Sequence, residues 1–117
     1  MTSNKFDLEE RTLKFAQRVN AYVLGLPKNI ANLENGRQLI RSSGSVGANY
    51  IEANEALGKK DFIMRLRISR KEAKESRHWL RLTLPDGGQL EEQKYLIQEA
   101  SELVKILSSM INKTSTK

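Results

Sequence analysis

Arg41 to Phe62 reads RSSGSVGANYIEANEALGKKDF, and the fold turns on its first half. SSGSVGAN (Ser42–Asn49) has the look of a glycine-rich loop that cradles a phosphate, yet it runs straight into YIEANEA (Tyr50–Ala56), which is helical in character. A phosphate loop needs a strand before it, a helix after it and usually a lysine that reaches the phosphates. The preceding ENGRQLIR (Glu34–Arg41) carries no strand signal, and no Gly-Lys-Ser/Thr follows. The stretch is therefore read as helix. In that register Leu33, Ile40, Gly44, Gly47 and Ile51 share one face. Gly44 and Gly47 are expected to let a neighbouring helix backbone approach closely, with a bend near Ser43–Gly47. Each glycine costs about 1 kcal/mol against alanine in a helix interior, which packing must offset.

Working outward, the breakers divide the chain. GLPKN (Gly25–Asn29) ends one helical segment, because proline starts or ends helices. LPDGG (Leu84–Gly88) is a strong turn. LGKKD (Leu57–Asp61) is a weaker break, with Asp61 placed to cap the next helix. Four segments result, at about 7–24, 30–56, 61–82 and 89–112. In the first, Leu8, Thr12, Phe15, Val19, Tyr22 and Leu26 step by threes and fours. So do Phe62, Leu66, Ser69, Ala73, Ser76 and Leu80 in the third. In the fourth the seam is Ile97, Ala100, Val104, Leu107 and Ile111, widened by Leu96, Leu103 and Met110. These are helix-packing seams, and no stretch alternates with the period of a strand. The spacing predicts an all-α fold, an up-down-up-down four-helix bundle formed by one domain over residues 1–117.

Composition narrows the chemistry. The 117 residues contain no cysteine, which excludes disulfides and thiolate metal sites and fits a reducing compartment. No apolar run approaches the ~20 residues that span a bilayer. MTSNKFDLEER at the N-terminus lacks the apolar centre of a signal peptide. A cytoplasmic protein without a membrane partner is expected. One histidine, His78, and no cysteine leave no Ser–His–Asp or Cys–His set. Glu52, Glu55, Glu72 and Glu75 could suggest a di-metal carboxylate bundle. That chemistry wants two Glu-x-x-His pairs, and only Glu75 and His78 have the spacing. No cofactor or metal is expected, and the glutamates are assigned to arginine pairing. Asn49 and Asn54 read as structural amides.

Two motifs in order, SSGSVGANYIEANEA and KKDFIMRLRISRKEAKESRHWLRL, resemble the bacterial four-helix bundle proteins first encoded by intervening sequences in 23S ribosomal RNA genes. The likeness spans about Arg37 to Leu82. It implies a four-helix bundle, commonly a ring-like homopentamer, in a family without established enzymatic activity. It also implies kinship with the accessory variability proteins of diversity-generating retroelements, basic pentamers that bind a reverse transcriptase and nucleic acid.

The residues' own functional clue is charge. Residues 59–81 carry +6, equal to the net charge of the whole chain. At about 100° per residue, with Phe62 at 0°, Lys59, Lys60, Arg67, Arg70, Lys71, Lys74, Arg77 and Arg81 fall between roughly 60° and 180°. His78 and Ile63 lie in that arc, and Glu72, Glu75 and Arg65 on the other flank. Such a stripe suits a phosphate backbone of RNA or DNA, and a ring of five copies would multiply it. A solvated helix face, or a surface for an acidic protein partner, would show the same pattern. Ile68 and Trp79, with Met64 and Leu82 nearby, form an apolar strip that fits either a subunit interface or a wide core face. Two function classes stay open. One is a non-enzymatic oligomeric nucleic-acid-binding or accessory protein; the other is a structural adaptor that docks a protein partner.

Overall fold

The computed structural model describes residues 5–116; residues 1–4, the start of the stretch read for a leader, and residue 117 lie outside the described residues. Four helices follow one another: α1 (Lys5–Leu24), α2 (Ile30–Asn54), α3 (Lys59–Leu82) and α4 (Leu90–Ser115), the last preceded by a 3-10 turn at Gly87–Gln89. There is no strand among the described residues. α1 and α3 each pack between α2 and α4, so the two stand diagonally across a bundle 47 × 28 × 19 Å in extent.

The direction of each helix follows from side-chain pairs that cross between neighbours. Thr12 and Val23 of α1 lie against Gly47 and Gly36 of α2. Arg65 meets Asn49, and Arg41 meets Glu75. Arg70 and Arg77 meet Ser108 and Ser101, and Arg11 and Arg18 meet Glu99 and Glu92. In every pairing one number rises as the other falls, so all neighbours are antiparallel. The architecture is the expected up-down-up-down bundle.

SSGSVGAN is helical throughout. Its packing departs from expectation in phase. The buried residues of α2 are Asn32, Gly36, Leu39, Ser42, Ser43, Val46, Tyr50 and Ala53. That face is turned by about a third of a revolution, at 100° per residue, from the one that Leu33, Ile40, Gly44 and Ile51 share. Those four are exposed. Gly44 is therefore not a helix contact within the chain: nothing lies within 4 Å of the place a Cβ would take. Gly47 is one, since its Cβ would stand 2.9 Å from Thr12 Oγ1 and 3.3 Å from Thr12 Cβ. The close approach of α2 to α3 uses serines. Ser42 Oγ and Ser76 Oγ share a hydrogen bond of 2.9 Å, and Ser69 Oγ donates to the Val46 carbonyl at 2.7 Å. Of Ser42 and Ser76, one hydroxyl donates across to the other, and the accepting one donates to a carbonyl of its own helix, Leu39 or Glu72, so both buried oxygens are satisfied.

The helix ends follow local chemistry. Asn29 caps α2, its Oδ1 accepting from Asn32 N at 2.8 Å. α3 begins two residues earlier than the cap expected at Asp61. Gly58 takes the extended cap position without a side-chain bond, and Asp61 sits in the first turn, where a carboxylate favours the positive helix end. α2 stops at Asn54, before the expected Ala56, and α4 continues to Ser115. One end of the bundle is tied by buried amides and hydroxyls. Asn32 Nδ2 donates to the carbonyls of Pro27 and Leu84, and its Oδ1 accepts from Leu84 N, all within 2.9 Å. Tyr22 and Thr83 hydroxyls lie 2.7 Å apart, and Gln93 reaches the Leu80 and Thr83 carbonyls.

Candidate nucleic-acid interface

The buried face of α3 is Leu66, Ser69, Glu72, Ala73, Ser76 and Leu80, with Phe62 half-buried on the same seam. Everything else about the site follows from where that seam points. Residues on the opposite side must face water, and they are the basic ones. Lys59, Lys60, Arg67, Lys71, Lys74 and Arg81 are exposed, as is His78. Lys60, Arg67, Lys71, Lys74 and Arg81 have no acidic side chain within ion-pair distance among the described residues. From Lys60 to Arg81 they run about 31 Å along the helix at 1.5 Å per residue.

Arg70 and Arg77 belong to the flank of this stripe rather than its crest. Both are half-buried against α4, with Arg70 Nη1 donating to Ser108 Oγ and Arg77 Nη1 to Ser101 Oγ, each at 3.2 Å. A neutral hydroxyl leaves the guanidinium charge uncancelled, so both still add to the positive field. His78 meets Trp79 edge to face, with centroids 4.9 Å apart and planes at 66°.

The other flank of α3 is neutralised. Arg41 of α2 lies 3.5 Å from Glu72 and 3.0 Å from Glu75, so these two glutamates are engaged by an arginine. Asn49 bridges its own helix and α3, donating to the Ser45 carbonyl and accepting from Arg65. Asn54 Nδ2 donates to Glu9 at 2.8 Å. Both amides thus link structural elements. Glu52 and Glu55 are exposed. Trp79 is half-buried and packs against the core, with its Nε1 lacking a hydrogen-bond partner; Ile68 is half-buried, and Met64 and Leu82 are exposed. Among the described residues no three His, Cys, Asp or Glu side chains gather as a metal site, and no helix is long and apolar enough to cross a membrane.

Several charges elsewhere are paired, while Lys14, Lys28, Arg37 and Lys113 are exposed outside any ion pair among the described residues. Glu99 accepts two bonds from Arg11, at 2.7 and 2.9 Å, and Glu92 accepts two from Arg18, at 3.0 and 2.7 Å. The bond from Glu99 holds the Arg11 guanidinium above its ordinary pKa, and Glu92 does the same for Arg18. The Arg18 guanidinium also lies 3.8 Å over the Tyr95 ring. On the outside of α4, Lys94 and Lys105 pair with Glu91 and Glu102 one turn away.

Sequence reasoning missed two features. One is the exposed apolar face of α2: Ile30, Leu33, Ile40 and Ile51. Leu33, Ile40 and Ile51 are visible in the sequence as one face with Gly44 and Gly47, read there as a helix-contact face; in the bundle those three face outward. The other is the Asn32 hub, whose signal was only the position of an amide between two turns.

Against known proteins, the chain matches the family described as 23S rRNA-intervening sequence protein over residues 4–112. A solved structure from Bacteroides thetaiotaomicron, described as a protein with unknown function from the S23 ribosomal protein family, is 30% identical. It superposes with a TM-score of 0.78 over 92% of this chain and 97% of that one. No curated protein matches the chain significantly. A family match over nearly the whole chain, joined to a shared bundle fold, means that this chain belongs to the 23S rRNA-intervening sequence protein family.

Proposed function

We propose that the chain is a non-enzymatic, oligomeric nucleic-acid-binding or accessory protein whose contact surface is the outer face of α3. One observation carries this reading. Lys60, Arg67, Lys71, Lys74 and Arg81 stand exposed and unpaired, while the arginines of α1 and Arg41 of α2 are matched to glutamates. A face that merely keeps a protein soluble mixes both signs. A row of unopposed cations displaces counterions from phosphates and binds without reading bases. Assembly as a homopentamer, and a protein partner such as a reverse transcriptase, enter this proposal from the family resemblance; a cytoplasmic setting enters it from the composition. Apolar side chains outside the core support self-association: half-buried Ile68 of α3, and the more exposed Ile30, Leu33, Ile40 and Ile51 of α2.

A salt titration with charge variants tests the reading. Reversing Arg67, Lys71 and Lys74 to glutamate should abolish RNA and DNA binding while leaving helical content unchanged. Reversing Lys94 and Lys105, which already have acidic neighbours, should change affinity little. Light scattering at micromolar concentration should give a mass several times 13.3 kDa. The second reading, a structural adaptor docking a protein, is favoured by the exposed apolar face of α2. It takes first place if the parent protein binds neither RNA nor DNA at low salt.

A further inference from the structure

The face of α3 differs from known single-strand platforms in what it lacks. Sequence-tolerant binding of single strands combines cations with aromatic rings on which bases stack. Here Phe15, Tyr22 and Tyr50 are buried, and Phe62 and Trp79 pack against the core. Tyr95 is exposed, but on α4 beneath Arg18. Among the described residues no Phe, Tyr or Trp stands exposed on the stripe. α3 also contains no Asn or Gln, the amides that read adenine edges. What remains is a row of cations with one exposed imidazole, His78, whose ring is already engaged edge to face by Trp79.

Electrostatics alone distinguishes the two forms of nucleic acid. A duplex carries one charge per ~1.7 Å of axis, and each phosphate contact contributes about −0.9 to the log–log salt slope, against about −0.7 for a single strand. We infer that this face selects double-stranded over single-stranded nucleic acid, indifferent to sequence. The inference rests on the nucleic-acid reading above and narrows it. With five phosphate contacts, from Lys60, Arg67, Lys71, Lys74 and Arg81, duplex affinity falls about 500-fold between 50 and 200 mM salt, and single-strand affinity about 130-fold. If the two converge near 1 M salt, where little electrostatic driving force remains, the duplex is favoured about 20-fold at 50 mM and about fivefold at 200 mM.

Fluorescence anisotropy on the full chain tests it, with labelled 20-base-pair RNA, 20-base-pair DNA, and oligouridylate and oligoadenylate of 20 nucleotides. The inference predicts tighter binding of both duplexes, a steeper duplex slope, and loss of both when Arg67, Lys71 and Lys74 are reversed. Equal or tighter binding of either single strand overturns the duplex preference and leaves the nucleic-acid reading standing. Failure of all four probes to bind at 50 mM salt overturns both.

Discussion

α1 and α3 occupy equivalent places, diagonal to each other and each wedged between α2 and α4, yet they treat their charges oppositely. α1 turns its arginines inward along the seam with α4, where Arg11 and Arg18 each hold a glutamate by two bonds. α3 meets α2 through serines, lays Arg70 and Arg77 against hydroxyls of α4, and turns Lys60, Arg67, Lys71, Lys74 and Arg81 outward. Position in a bundle therefore does not decide what a helix does with its charge. The partner helix does: α4 presents Glu92 and Glu99 toward α1 and Ser101 and Ser108 toward α3. The same guanidinium chemistry becomes a clamp on one side and a surface on the other.

Charge reversal breaks this comparison most sharply. The α3 triple variant should lose at least two orders of magnitude in nucleic-acid affinity without a change in melting temperature. Arg11→Glu should do the reverse. Glu99 is mostly buried, at 13% side-chain exposure, and would be left facing a second carboxylate. Arg11 is 40% exposed, so solvent screening keeps the cost between that of a surface pair and a buried one, about 1–3 kcal/mol. Denaturant melts would show it, with affinity for a duplex close to that of the parent. If Arg11→Glu weakens binding as much as the α3 triple does, long-range charge rather than a defined face is responsible.

The glycines of α2 sharpen the contrast from the neighbouring helix. Gly47→Leu drives a side chain into Thr12 and should push α1 outward, costing about 1–3 kcal/mol. Gly44→Ala faces open space and should stabilise the helix by about 0.5–1 kcal/mol. Thermal melts of the two variants should move in opposite directions. A loss of stability or of assembly mass in Gly44→Ala would instead show that a neighbouring copy rests on that face.

These glycines also mark where the sequence was legible. The seams of α1 and α3 were readable from their main apolar stripe, and Leu8 to Leu26 and Leu66 to Leu80 are buried at the expected steps. In α4 the stripe was found but its centre is shifted, with Leu96 and Leu103 buried and Ile97 and Val104 half-buried. α2 carries apolar residues on two faces. Its true core face is built of Gly36, Ser42, Ser43 and Ala53 among Leu39, Val46 and Tyr50, residues whose hydropathy says little about burial. The charged arc of α3 was readable because exposure needs no knowledge of a partner. The turn of Arg70 and Arg77 toward α4, and the pairing of Arg11 with a glutamate 88 residues away, depend on which helix lies alongside. That information belongs to the assembled bundle.

A further small effect concerns the bond that ties the two diagonal helices together. Tyr22, near the end of α1, meets Thr83, the residue after α3, at 2.7 Å. Thr83 Oγ1 donates to the Leu80 carbonyl at 2.6 Å, which leaves Tyr22 as the donor of the shared bond. Burial holds the Tyr22 phenol above its ordinary pKa of 10.0, and Tyr50 likewise. Below pH 10 both phenols are protonated whether the chain is folded or not, so stability does not vary on their account. Above about pH 10 the unfolded chain releases these protons first. Fewer protons bound in the unfolded state means that stability falls as pH rises. Melts from pH 9 to 11.5 should show a plateau followed by a decline. Tyr22→Phe should cost about 1 kcal/mol at neutral pH through the lost hydrogen bond, yet decline less steeply above pH 10. An equally steep alkaline decline in the variant would assign the effect to groups other than the phenol joining α1 to α3.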